Sequence, residues 1–421
     1  MIRHFRLPFS APHLSTWVLV ILLVFLPRTL RSEPPATAIK GEIAVRGGKI
    51  YTMDGPPIEN GVVVIRDGKI QLVGPASQIT IPEAMQTLDA AIVTPGLIDT
   101  HSVVGLAGIL NQDQDQDQLD AGSAIQPQLR ATDSYHPDDP LIAWIRGFGV
   151  TTVHTGHAPA ALLSGQTMIV KTAGKTIDEA VVVPAWGIAV TLGENAQGKG
   201  KASPGTRGKM VAMLRQKLLD AQRYLADRQG KEDEKRDLEL EALGDCLKGK
   251  LRFLVTADRA VDIRNALELA REFNLRLVLD SGAEAHLMLD ALRHAAVPVI
   301  VHPTMARAGG DRENLTFRSA AILADAGFLI GLQSGYEPYV PKSRVVLFEA
   351  GVAAAHGLGP ERALSAITRD AASLLEIEDR VGSITAGKDG DLALFDGDPF
   401  EYTTHCIGVV IDGNVVSDVP Q

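Results

Sequence analysis

Cysteine is nearly absent: Cys246 and Cys406 are the only two in 421 residues, far apart and without a metal-type spacing. That excludes a disulfide framework, and both are read as free core thiols or one incidental pair. A membrane-spanning run is missing too. The apolar stretch Trp17–Leu26 holds ten residues, against the about 20 that a transmembrane helix needs. Excess positive charge is the third absence, with 41 basic residues against 51 acidic ones and a formal net charge of -10. That balance argues against nucleic acid or an anionic membrane as partner.

What the first residues do have is Arg3 and Arg6, then the apolar run, then Pro27. This is the layout of a secretory signal, so residues 1–38 are read as a leader cleaved after Ser32 or Ala38, and the protein as exported, periplasmic or extracellular. The membrane is met only during export; the alternative is a tether by an uncleaved N-terminal segment. Residues 1–38 hold four Arg and one Glu, so without them 37 basic residues face 50 acidic ones. With 45% hydrophobic and 22% charged residues the rest reads as an ordinary globule.

From Glu42 the pattern turns to short alternating runs, Ile43–Tyr51 and Gly61–Ile70, broken at Gly47-Gly48, Gly55-Pro56-Pro57 and Asp67-Gly68. Such runs predict hairpins of a small sheet. Residues 384–416 repeat that texture, so the two ends are expected to share one sheet around an inserted middle. In the middle, near-continuous apolar runs at Ala143–Val153, Leu251–Asp258, Arg276–Asp280, Val297–Val301 and Phe328–Leu332 predict buried strands. Helical patterns fall between them at Arg207–Asp227, Ala260–Phe273, Glu284–His294, Thr316–Ala326 and Pro360–Leu375. Strands alternating with helices predict a parallel sheet, closed into a barrel. Asp113, Asp115 and Asp117 match the first three spacings of a calcium loop, but Gln118 stands where Gly is needed and Ala124 where Glu is needed, so the stretch is read as a solvated loop. The mixed charges of Arg228–Lys235 are read as a surface turn.

The segment Val93-Thr-Pro-Gly-Leu-Ile-Asp-Thr-His-Ser-Val-Val-Gly105 resembles the first-strand motif of the amidohydrolase superfamily, Pro-Gly-x-x-Asp-x-His-x-His. Ala363–Ile411, with Asp379-Arg-Val-Gly-Ser-Ile384 and Gly387-Lys-Asp-Gly-Asp-Leu392, is similar to that family's last helix and its return to a second domain. With Gly149-Val-Thr-Thr-Val153 and Gly165-Gln166 the resemblance runs over nearly all of the chain after the leader. It points to the imidazolonepropionase-like, metal-dependent branch. The fold it implies is α/β: a (β/α)8 barrel over 94–377 with a small β-sandwich formed by the N- and C-terminal segments, 39–93 and 378–421.

In that family one or two divalent ions at the C-terminal mouth of the barrel lower the pKa of a bound water, which attacks a carbonyl. Here the resemblance predicts loss of most of the ligands. His-x-His has become His101 and Val103, and valine has no lone pair to give. No Lys precedes Leu192-Gly-Glu-Asn195 to bridge two ions; Thr256 and Asp258 stand for a second His-x-His, and Ser281 for a further His. Leu332-Gln-Ser-Gly-Tyr-Glu-Pro338 has no Asp to serve as general base, with Glu337 the nearest carboxylate. The expected protein is therefore a pseudo-enzyme, related to hydrolases of non-peptide C–N bonds, that holds a small molecule at the mouth. The competing expectation is an active hydrolase in which His101, Asp258, His302 and His154 form a rearranged site for zinc or a similar ion. Homo-oligomers, or association with an intact paralogue, are the protein partners expected.

Overall fold

The computed structural model describes residues 42–198, 204–228, 235–304, 307–336 and 345–421. The leader and Glu337 lie outside them, as does most of the charged turn at 228–235. The chain opens with strands β1 (Ile43–Ile50), β2 (Ile58–Arg66), β3 (Lys69–Pro75) and β4 (Gln86–Pro95). Eight more follow: β5 (Leu97–Ser102), β6 (Val150–Gly156), β7 (Leu163–Lys171), β8 (Val181–Thr191), β9 (Arg252–Ala257), β10 (Leu277–Ser281), β11 (Val299–Val301) and β12 (Ile330–Leu332). The last three are β13 (Leu392–Phe395), β14 (Cys406–Ile411) and β15 (Asn414–Ser417).

Strands from both ends lie in one seven-stranded sheet, in the order β15-β14-β13-β4-β1-β2-β3. Its hairpins follow from local chemistry. Asp67-Gly68 and Asp412-Gly413 join adjacent antiparallel strands with positive φ at both residues (52° and 75°, 47° and 70°). That is the turn whose twist matches the flanking strands, and Asp and Gly are residues that tolerate it.

β5 to β12 form a second sheet in chain order. It nearly closes: Ser102 at the end of β5 bridges to Gly335 beyond β12, and the Thr100 hydroxyl donates to the Leu332 carbonyl at 2.7 Å. Every residue of β5, β6, β10, β11 and β12 is buried; β11 and β12 accordingly carry no polar side chain, whereas β5, β6 and β10 bury polar residues toward their C-terminal ends. The sheet is mixed rather than all parallel, because β7 runs antiparallel to both β6 and β8. Strictly alternating strands and helices are thus not what β6 to β8 adopt; the result is an α/β fold with a nearly closed eight-stranded mixed sheet and a second sheet.

One expected strand is in part a helix. Within Ala143–Val153, residues up to Gly147 belong to the helix Pro140–Gly147, started by Asp139, whose carboxylate accepts from Leu141 N at 2.7 Å, and by Pro140 in the first turn. Gly149 at φ 89° ends the turn, and β6 begins one residue later. Pro360–Leu375 is likewise two helices, Pro360–Ala366 and Arg369–Leu375. Asp115 proves to be a loop cap, accepting from the amides of Leu110, Asn111 and Gln112.

Gly96 separates β4 from β5 and lies against β6. A Cβ there would sit 2.1 Å from Oγ1, 2.4 Å from Cγ2 and 2.7 Å from Cβ of Thr151, so alanine must force a buried side chain aside. Gly96→Ala is expected to cost about 1–3 kcal/mol. The check is the urea midpoint; a second substitution, Thr151→Ala, should recover part of the loss by removing the two outer atoms.

Candidate functional site at the barrel mouth

Buried polar groups collect where β5, β9 and β10 end and where the chain leaves β12. His101 is wholly buried, and its Nδ1–H donates to Asp280 Oδ1 at 2.9 Å. Asp280, equally buried on β10, also accepts from the Thr256 hydroxyl at 2.5 Å through Oδ2 and from Gln333 Nε2 at 2.9 Å through Oδ1. Burial alone would raise its pKa, but the neighbouring His101 and these hydrogen bonds together hold the carboxyl below its usual range. His101 Nε2 and Gln333 Oε1, on the far sides of the two groups bound to Asp280 Oδ1, have no hydrogen-bond partner among the described residues.

Asp99, also on β5, accepts from Ser334 N at 3.1 Å and from the Ser334 hydroxyl at 2.5 Å. Burial pushes its pKa up to about 7 in spite of these bonds. Val103 packs with Ala107, Ala158 and Tyr336.

The residues read as metal candidates are placed as follows. His154 stacks on His101 with ring centroids 5.6 Å apart, but both of its nitrogens are engaged: Nδ1 donates to the Thr100 carbonyl at 2.7 Å and Nε2 accepts from the Thr167 hydroxyl at 2.8 Å. Burial, then the charge of His101, lowers its pKa to about 3, so its ring is neutral. His302 donates from Nδ1 to the Pro303 carbonyl at 3.0 Å and accepts at Nε2 from Ser319 at 3.1 Å. Asp258 spends Oδ1 on the Ser281 hydroxyl (2.6 Å) and Ala283 N (3.1 Å), and Oδ2 on Arg312 Nε (3.1 Å). The structure therefore brings His101 and His154 together and turns His302 and Asp258 to other partners. Among the described residues no three His, Cys, Asp or Glu side chains converge to hold a metal ion. Of the four candidates, His154 and His302 have both ring nitrogens engaged by protein groups, Asp258 accepts three hydrogen bonds, and His101 keeps Nε2.

Above this layer lies a cavity of 510 Å3 lined by Thr191, Glu194, Thr256, Asp258, Arg312 and Tyr336 among others. Tyr336 is the link between levels: its ring lies 5.4 Å from that of His101, and its hydroxyl accepts from Arg312 Nη2 at 2.8 Å. Sequence reasoning did not single out Asp280, Gln333, Ser334 or Arg312. Asp280 alone carried a signal, as a carboxylate inside the apolar run Leu277–Ser281.

The amidohydrolase family profile matches residues 343–417. An amidohydrolase of Hapsidospora irregularis is 26% identical over 86% of this chain, which spans 40% of that longer protein. Imidazolonepropionase of Fusobacterium nucleatum is 24% identical over 83% of this chain and 88% of its own length. The solved structure of an amidohydrolase from Thermotoga maritima superposes with a TM-score of 0.85 at 28% identity, covering 90% of this chain and all of that one. The first-strand motif, the nearly closed sheet and these likenesses agree: the chain belongs to the amidohydrolase superfamily.

Proposed function

We propose that this protein is a small-molecule-binding barrel, a variant of the (β/α)8 architecture, that does not carry out metal-assisted hydrolysis of a C–N bond. One observation carries the reading: both ring nitrogens of His154 and of His302 are bonded to Thr100, Thr167, Pro303 and Ser319, and Asp258 is bonded to Ser281, Ala283 and Arg312, which leaves His101 Nε2 as the one unengaged nitrogen of the set. A metal-bound water needs a cation held by three or more free lone pairs and a base to take its proton. The mouth supplies instead a guanidinium, Arg312, already paired to Asp258. Its cavity falls in the range of roughly 300–1,000 Å3 typical of ligand pockets. Binding needs none of the lost ligands.

The protein is proposed to act after export, meeting the membrane only during that export, as a homo-oligomer or beside an intact paralogue. The test is direct. Full-length protein purified without chelators is expected to hold substoichiometric metal and to leave acyl dipeptides, hydantoins, dihydropyrimidines and lactones intact with added zinc or manganese, while a small-molecule panel raises its melting temperature. Stoichiometric metal that His101→Ala removes, together with metal-stimulated turnover, would establish the rearranged site instead.

A further inference from the structure

At the other end of the barrel sheet, where β9, β10 and β11 begin, is a larger cavity of 770 Å3. Conserving stability is the usual task of that face in barrel proteins, since chemistry sits at the C-terminal mouth. Its floor is apolar, with Leu267, Leu277 and Val297. Its wall carries four arginines, Arg252, Arg264, Arg271 and Arg276, against two carboxylates, Glu268 and Glu376. In a chain of net charge -10 that is a local reversal of sign.

The arginines are not equivalent. Arg252 and Arg276 both donate to the Glu376 carboxylate, and Arg252 also lies over the Trp186 ring at 5.4 Å. Glu376 does this from φ 59°, a left-handed conformation in which glycine would be unstrained. The side chain, not the turn, is what a glutamate contributes there: it shows that this wall recognises a carboxylate with two guanidiniums. Arg271 pairs with Glu268 one turn back on the helix Ala260–Phe273, with its side chain 78% exposed. Its place in the last helical turn suits the helix dipole. Arg264 has neither explanation: it lies mid-helix on the rim, with no ion pair among the described residues.

We propose that this cleft binds an amphipathic anion, an alkyl or aryl chain seated on Leu267, Leu277 and Val297 with an acidic headgroup held by Arg264 and Arg271. Apolar burial supplies the affinity and the guanidiniums choose the sign of charge. The site is separate from the mouth and holds whether or not the mouth is catalytic.

Calorimetric titration of the full-length protein with octanoate, octylammonium and octanol tests it. Octanoate is expected to bind one per chain, at least tenfold tighter than either of the others, and the double variant Arg264→Glu, Arg271→Glu should lose at least tenfold in octanoate affinity with an unchanged melting temperature. Arg312→Ala, at the mouth, should leave octanoate binding intact. Equal binding of the three probes overturns the proposal, as does octanoate affinity that ignores the double variant or is lost only with Arg312→Ala.

Discussion

Lys171→Met is expected to lower the stability of the fold by about 3–5 kcal/mol, the cost typical of removing one partner from a buried ion pair. Lys171 ends β7, the reversed strand, with its side chain 5% exposed. Its ammonium reaches Asp389 Oδ2 at 2.7 Å, Asp391 Oδ1 at 3.2 Å and the Asp412 carboxylate. Asp389 is shared with Lys69 at 2.5 Å and Arg380 at 2.8 Å, so three cations offset three carboxylates where the barrel sheet meets the seven-stranded sheet. Methionine keeps most of the volume and removes the charge. Among the described residues Asp391 and Asp412 are then left without a cation, since Lys69 and Arg380 both serve Asp389.

The same cluster gives the loss a pH signature. Burial raises the pKa of Asp391 to about 6 even beside Lys171. A folded value above the ordinary one means that its contribution to stability is fully present below the ordinary value and is lost as pH rises through about 6. Asp389 goes the other way: burial would raise it, but Lys171 and the bonds from Lys171 and Lys69 hold it below the usual range, so its contribution is present above the ordinary value and is lost as pH falls. Between pH 7.5 and 5.0 Asp391 therefore takes up a proton while Asp389 keeps its charge. The gap between wild type and Lys171→Met in urea unfolding should narrow over that interval. A gap under about 1 kcal/mol, or one that is constant with pH, would mean that water reaches the cluster and screens it.

Lys171 shows how far a sequence can be read here. The hairpins at Asp67-Gly68 and Asp412-Gly413 were legible because each turn is specified by two adjacent residues. The helix Ala260–Phe273 was legible because its apolar spacing repeats over fourteen residues. β7 was not: Leu-Ser-Gly-Gln-Thr opens the strand with polar residues and glycine, so it gives no apolar run to read, and nothing in its sequence sets its direction. Ala143–Val153 merged two elements, because Ile145 on the helix face and Val150 on the strand are both buried and only Gly149 separates their periods. At the mouth, His101 stood out by its motif, whereas its partner lies 179 residues away. Which lone pairs a side chain has left depends on such distant contacts. His302, at the end of a strand, looked aimed at the mouth, yet its ring is bonded to Ser319.

Asp280→Ala is the second large effect, expected at about 3–5 kcal/mol because it strips one carboxylate from a buried layer that depends on it. His101 Nδ1, the Thr256 hydroxyl and Gln333 Nε2 all donate to Asp280, and of these only Gln333 keeps another acceptor, the Val301 carbonyl at 3.1 Å. Buried donors without acceptors cost about 1–3 kcal/mol each, and the cavity left by the shorter side chain adds to that. Asp280→Asn should cost less, since an amide oxygen can still accept from His101 while its amino group donates to Thr256. Unfolding measured with and without added zinc then separates two roles for this layer. If the bonds made by His154, His302 and Asp258 leave His101 Nε2 as a lone donor, too few to hold an ion, zinc leaves the melting temperature of wild type and both variants unchanged. If Asp280 merely orients His101 toward an ion, zinc raises the melting temperature of the wild type, and Asp280→Ala weakens that rise by the 10- to 100-fold in metal affinity typical of losing an orienting carboxylate.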